Sequence, residues 1–433
     1  MLKTSKFYQY KTDNEIDLYI NYNSKFKTNY IHLDIIRPLS DEAAVSKNAL
    51  IPYILYRGSK KYPTNQAISR RLDQLYGADL NVSVARRGEN QILRFSIDII
   101  NDRYHYGPED LKIAAVDFLY ELIFNPLIVE GEFKKAHINK GQAFLKEKIL
   151  AMKNNKNNYV MERCYQEMCR GERFSLYPLG TIRGLRKANC DNLYNYYQQV
   201  LAKSPIEIFA VGDIKQKKDF FQYINKKFVY KRNKLLPLNN TVIKTGGFQF
   251  KEKEEEDRIN QTKLSAGIRI PVTRSHPLYF ALIVYNGILG GFSHSKLFTE
   301  VREEKGLAYY INTRLESTKG LILINAGIDM LDYQIVKNII TKKLKEMSRG
   351  QFDDDSIRWT KKKLINRYKN LSDNNHSIVD AFLLGLINGK QDSLNYVINS
   401  IAEVKKDEII EVAQKAKLTT YFLLKPGSVQ HDL

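Results

Sequence analysis

Apolar residues recur along the chain with two different periods. In 80–99, "LNVSVARRGENQILRFSIDI", they alternate on either side of a turn at Arg87-Gly88-Glu89, the pattern of a β-hairpin. In 311–329, "INTRLESTKGLILINAGID", the same alternation brackets a turn at Thr318-Lys319-Gly320. Apolar residues at helical spacing follow each hairpin, over 109–128 with a stop at Asn125-Pro126 and over 330–350 with an end at Gly350. Each half then closes on a buried-strand run before glycine, "IEIFAVG" (206–212) and "TTYFLLKPG" (419–427). Asn81 corresponds to Asn312 and Ile97-Asp98 to Ile328-Asp329, a constant offset of 231 residues.

A repeat this long is no solenoid. It predicts an α+β protein of two homologous domains, each a mostly antiparallel sheet covered by helices. The first spans 1–225 and the second 248–433, joined by a linker at 226–247 where charge, Asn and Pro concentrate. Long helical stretches at 132–170 and 353–388 are expected to lie over the sheets, giving two layers per domain. The acidic run "KEKEEED" (251–257) reads as a solvated face.

Composition narrows the class. At 433 residues the chain exceeds one ordinary core, and 43% hydrophobic with 11% aromatic residues is globular rather than disordered. No apolar run reaches the ~20 residues that span a bilayer, so no membrane segment is expected. The opening "MLKTSKFYQYKTDNEIDLYI" lacks an apolar export core, which points to the cytoplasm. Cys164, Cys169 and Cys190 have no zinc-site spacing and read as small buried hydrophobes. The net charge of +20 is densest in 214–245, with nine Lys/Arg against one Asp. No zinc finger, RNA-reading strand or phosphate loop accompanies it, so nucleic-acid binding is not the expected function.

One corner carries candidate chemistry. In "SKLFTEVREEKGLAYY" (295–310) a helix stops at Gly306 and a strand follows, with Arg302 seven positions before Tyr309. The helical neighbours of Arg302 are Phe298, Thr299, Lys305 and Gly306, none acidic, so no intrahelical ion pair accounts for it. Tyr310 is expected on the face opposite Tyr309, because strand neighbours alternate.

At "NGILGGFSHSKLFTEVREEKGLAYYINTRLESTKGLILINAGID" (286–329) the sequence resembles the pitrilysin/insulinase family of zinc peptidases, which includes mitochondrial processing peptidase. The segments "ILYRGSKKYPTNQAISRRLDQLYGADLNVSV" (54–84), "FNPLI" (124–128) and "ERCYQEM" (162–168) are similar as well, so the likeness spans nearly the whole chain. It implies the LuxS/peptidase-like metalloenzyme fold, as one half of a clamshell.

Active members carry His-x-x-Glu-His on a helix just before the "LYRGS"-like segment. Two histidines four apart share a helical face and bind zinc, while the Glu deprotonates the metal-bound water. Those positions correspond here to Ala49, Pro52 and Tyr53, and proline inside such a helix costs ~3 kcal/mol unless the helix begins there. The third ligand of the family, a Glu, corresponds to 139–143, which reads Asn-Lys-Gly-Gln-Ala. The histidines His32, His105, His137, His276, His294, His376 and His431 offer no substitute pair at ligand spacing, and adjacent Ser293 and His294 cannot form a nucleophile–base pair. No metal, no cofactor and no independent hydrolysis are expected.

The resemblance further implies that Arg302 and Tyr309 grip the scissile carbonyl across a chamber, in trans, for a partner that holds zinc. It implies substrate pairing along the edge strand at Asn81, Val82, Ser83 and Val84. The expected partners are an active zinc-bearing homologous subunit, a peptide substrate and, in isolation, a second copy. The zinc-less and zinc-bearing bacterial pairs associated with elongation factor P modification are similar. The competing expectation is a stand-alone peptide-binding scaffold on the same fold.

Overall fold

A computed structural model of the chain describes residues 6–188, 190–238 and 241–427, with the side chains of 190–192 outside it. The first sheet comprises β1 (Phe7–Lys11), β2 (Asp17–Tyr22), β3 (Thr28–Pro38), β4 (Asp79–Arg87), β5 (Asn90–Ile100) and β8 (Ile206–Gly212), while β6 (Ile128–Val129) and β7 (Glu132–Phe133) pair only with each other. The second sheet comprises β9 (Lys251–Asp257), β10 (Thr262–Arg269), β11 (Ala308–Glu316), β12 (Leu321–Ile328) and β13 (Lys417–Pro426).

The two sheets repeat one order. Read from one edge, the first runs β4-β5-β3-β8-β2-β1 and the second β11-β12-β10-β13-β9. In each, three antiparallel pairings lead to one parallel pairing, β8 with β2 and β13 with β9. The internal repeat and the α+β class read from hydrophobic periodicity are therefore present in the strand order itself.

The compact units are not contiguous in sequence. One comprises residues 1–150, 176–240 and 372–384, and the other 151–175, 241–371 and 385–433. The helical stretch expected over 132–170 divides at Asn155, whose side chain caps the helix Lys156–Met168 by accepting from the Asn158 amide. That second helix covers the second sheet. Its Cys164, Met168 and Val160 pack with Leu321, Leu323, Phe422 and Leu424. Gly267 of β10 admits it, since a Cβ there would lie 2.7 Å from the Met168 sulfur. Both Cys164 and Cys169 are buried, as their sequence context predicts, whereas the side chain of Cys190 and all of His431 lie outside the described residues.

Conversely, 372–384 covers the first sheet. Phe382 touches Phe7, Tyr19 and Phe209, and the His376 ring stacks on Tyr30 at 4.0 Å. Helical parts of both stretches thus lie over sheets, as expected, but each unit's central strands carry a covering on both faces rather than the expected two layers. The central strands are covered on both faces, so β8 and β12 are buried at every position and their sequences show continuous apolar runs. The opposite face of the first sheet carries the larger core, where Ile31, Leu33, Phe95 and Ile97 meet Leu50, Ile54, Leu119 and Leu122 of the helices Glu42–Leu55 and Leu111–Phe124.

The acidic run 251–257 is the edge strand β9, with no buried residue, so the solvated face read from its charges is present on a strand. Lys337 and Tyr333 meet Glu252, Lys425 meets Glu254, Arg163 and Tyr159 meet Glu255, and Lys156 meets Asp257. Those pairings let a chain of acidic residues serve as an edge strand, where charge also deters pairing with foreign strands. Among the described residues, no helix is long and apolar enough to cross a membrane.

Candidate functional site

The three positions matching the zinc motif lie on the helix Glu42–Leu55, which Asp41 caps by accepting from the Ala44 amide. Pro52 neither starts nor breaks this helix, against the expectation from its ring. The helix continues to Leu55, and the Tyr56 amide donates to the Pro52 carbonyl at 3.0 Å. Every residue from Asn48 to Leu55 is buried, and that packing offsets the missing amide hydrogen.

The surroundings of Ala49, Pro52 and Tyr53 suit aromatic packing, not a metal. Tyr53 packs on Phe144 at 5.2 Å, and the Lys148 ammonium lies 5.1 Å from the Tyr53 ring and donates to its hydroxyl at 3.4 Å. Arg57 covers Phe144 at 5.7 Å. Burial pushes the Tyr53 phenol up to about 12 and lowers the pKa of Lys148. Two cations on this aromatic pair repel any divalent ion brought to the same helix face.

In the window 139–143 the helix Lys135–Asn154 approaches closely because residue 141 is glycine. A Cβ there would sit 3.2 Å from both Leu50 and Ile54. Gln142 turns away and donates to the carbonyls of Leu185 and Ala188. Among the described residues no group of three His, Cys, Asp or Glu could hold a metal ion. Ser293 and His294 also have separate partners, Lys363 for the first and Thr360 for the second.

In the same unit β4 occupies the sheet edge and pairs only with β5, Asn81 opposite Ser96 and Ser83 opposite Arg94. Val82 and Val84 pack into the core, so their backbones rather than their side chains remain for a ligand. Asn81 is exposed and Ser83 half-buried on the other face. The same helix Glu42–Leu55 packs on β4 and β5, which brings the lost zinc positions beside this edge.

Arg302 and Tyr309 lie in the second unit, on adjoining elements that pack on each other. Arg302 sits in a π-helical segment, Phe298–Glu304, that Gly306 ends with φ +63° and that the Leu307 amide closes by donating to the Val301 carbonyl. Tyr309 is the extra residue of a β-bulge, since Ala308 pairs with Ile328 and Tyr310 already with Gly327. The bulge re-aims the ring outward and leaves it 75% exposed. Arg302 is exposed too, its guanidinium 4.9 Å over the Phe298 ring and, among the described residues, without an acidic partner. Tyr310 is half-buried, donates to Asn157 at 2.7 Å, and has its phenol raised to about 12 by burial. The pair of tyrosines therefore divides into one held and one presented.

Sequence reasoning missed the bulge, which leaves no composition signal at 308–310. It also missed the Tyr53–Phe144–Lys148 stack, although Phe144 and Lys148 are four apart on one helix and could have been read as facing Tyr53 together.

Residues 187–364 match the family model described as the peptidase M16 inactive domain. The chain is 31% identical over 400 residues to the probable inactive metalloprotease YmfF of Bacillus subtilis strain 168, covering 92% of this chain and 93% of that protein. It is 24% identical over 315 residues to the uncharacterized zinc protease YmxG of the same strain, 71% of this chain and 74% of that one. Among solved structures, that of a conserved protein from Enterococcus faecalis V583 is similar with a TM-score of 0.87 and 27% identity, covering 98% of this chain and 99% of that chain.

Proposed function

From the premise that the chain belongs to the M16 (pitrilysin/insulinase) peptidase family as an inactive metalloprotease homologue, we infer that it is the non-catalytic subunit of a two-chain zinc peptidase. It binds the peptide and supplies Arg302 and Tyr309 to the carbonyl that a zinc-bearing partner attacks. The observation that carries this reading is the presentation of Tyr309 on its bulge, a large aromatic residue held in water on the strand against which the segment bearing the exposed Arg302 packs. Developing oxyanion charge calls for such donors, a cationic fork and a phenolic hydrogen fixed on a helix and a strand. The loss of ligand and base at Ala49, Pro52 and Tyr53 fits a division of labour in which another chain brings the metal. One bacterium holding both an inactive and a zinc-protease relative is consistent with that division.

The test is reconstitution. Mixed with a His-x-x-Glu-His homologue from its own cell, the chain raises peptide turnover, and Arg302→Ala or Tyr309→Phe lowers the reconstituted kcat by about a hundredfold. Purified alone it carries no stoichiometric zinc by plasma mass spectrometry. Turnover unchanged in both variants sinks the assignment. The free edge of β4 favours peptide binding under a second reading also, a scaffold without proteolysis, which predicts peptide affinity lost on blocking β4 and no effect on any partner's turnover.

A further inference from the structure

The second unit contains a cavity of about 680 Å³ that none of the foregoing uses, with a smaller one of about 190 Å³ adjoining it. Both are walled by the segment Lys244-Thr245 with Phe248, and by Arg269 of β10. Into the larger project Arg170, from the end of the helix Lys156–Met168, and Lys251, the first residue of β9. The smaller adds Lys415 and Lys417, next to the start of β13. Glu172 is the sole carboxylate in either lining.

The charges do not cancel. Glu172 is already shared among Arg269 at 2.5 Å, the fully buried Lys319 at 2.8 Å and Lys244 at 3.8 Å. Arg170 has Glu167, Lys415 has Glu411, and among the described residues Lys251 bonds only a backbone carbonyl, that of Glu167. Arg269 is 4% exposed, yet its Nε has no hydrogen-bond partner among the described residues. That nitrogen is sealed from the cavity, so what Arg269 brings to the wall is its charge rather than a free donor. The Phe248 ring lies 4.9 Å from the Arg269 guanidinium and holds it flat. The segment Lys244–Phe248 includes Gly246 and Gly247, and its backbone amides make no hydrogen bonds to other described residues. Free amides beside converging cations suit an oxyanion rich in acceptors.

We propose that this cavity is a binding site for a small soluble molecule bearing a diphosphate. The lysines of the rim draw the anion in, the Arg269 guanidinium stands in the wall as a fixed positive charge, and the Gly-Gly segment supplies its free amides. The volume is within the range of small-molecule sites and larger than a lone phosphate requires. The site has no geometric dependence on Arg302, Tyr309 or the lost metal positions, so it stands or falls apart from the peptidase reading.

Calorimetric titration of the full chain with inorganic pyrophosphate at constant ionic strength tests it. The expected result is saturable one-to-one binding that Lys244→Gln and Lys251→Gln each weaken about tenfold, the worth of one charge-assisted contact. Lys215→Gln, an exposed lysine of the other unit in the same basic stretch of sequence, is expected to leave the affinity unchanged. Circular dichroism checks that each variant keeps its fold, and both rim lysines are on the surface side of the site. Pyrophosphate heats no greater than those of chloride, or equal weakening by Lys215→Gln, overturn the proposal.

Discussion

Gly141 and Glu207 show how much of this molecule is decided by single side chains. Gly141 lets two helices meet where the family places its third ligand, with Leu50 and Ile54 at contact distance. Returning a carboxylate to that place by Gly141→Glu is expected to destabilise the chain by about 3–5 kcal/mol, from overpacking plus a buried charge. Urea unfolding followed by far-ultraviolet circular dichroism measures it, and an unchanged midpoint refutes the packing account. Glu207 of β8 is buried beside Asp17, Asp34 and Tyr19, with Lys11 the opposing charge. Burial first and Asp17 second push its pKa up to about 8. A carboxyl raised in the fold contributes stability below its unfolded pKa near 4.5, and that contribution is lost as pH rises towards 8. Glu207→Gln therefore leaves the melting temperature unchanged at pH 4 and raises it at pH 8.5, the difference growing between. At this scale the sequence was legible where a residue type forbids chemistry, as with Ala49 and Pro52. It was opaque where chemistry depends on a neighbour distant in sequence, as with Lys148 over Tyr53.

Among elements, the hairpins β4–β5 and β11–β12 were readable because alternation and glycine turns are local. Their registers were not. Leu80 pairs with Ile97 and Ala308 with Ile328, so the offset of 231 holds along β5 and β12 but not along β4 and β11. The bulge at Tyr309 and the different turn lengths absorb the discrepancy. The solvated face of β9 was legible, but its ion-pair partners were not. Its partners at 156, 163, 333, 337 and 425 are remote, and composition alone says only that the charges need solvent or counter-charges. A second element-level device is the pairing of β3 and β5 with 372–384. Arg94 forks to both oxygens of Asp34, at 2.8 and 3.0 Å, and reaches Asp380 at 2.7 Å. Burial raises the Asp34 carboxyl, but its contacts with His32 and the Arg94 guanidinium outweigh that and hold the group below the carboxylate range. Burial also lowers His32. Arg94→Ala leaves a fully buried carboxylate without its guanidinium and is expected to cost about 3–5 kcal/mol in chemical unfolding. Asp380→Asn, at the exposed end of the chain of charges, is expected to cost less than 1 kcal/mol. Equal effects from the two would contradict a buried Asp34–Arg94 pair.

Across the whole molecule, periodicity gave two copies of one domain, and the strand order bears out the copying. It could not give the exchange of coverings, because an amphipathic helix reads alike whichever sheet it covers. Residues 151–175 belong with the second sheet and 372–384 with the first. That exchange has a consequence for biosynthesis. The first sheet emerges from the ribosome complete by residue 212, yet the face bearing Tyr19, Tyr30 and Phe209 stays bare until more than 150 further residues have been made. The nascent chain therefore carries an open aromatic surface through most of the second half of translation, and a stop codon before residue 372 releases a product fit for chaperones and degradation rather than a working half.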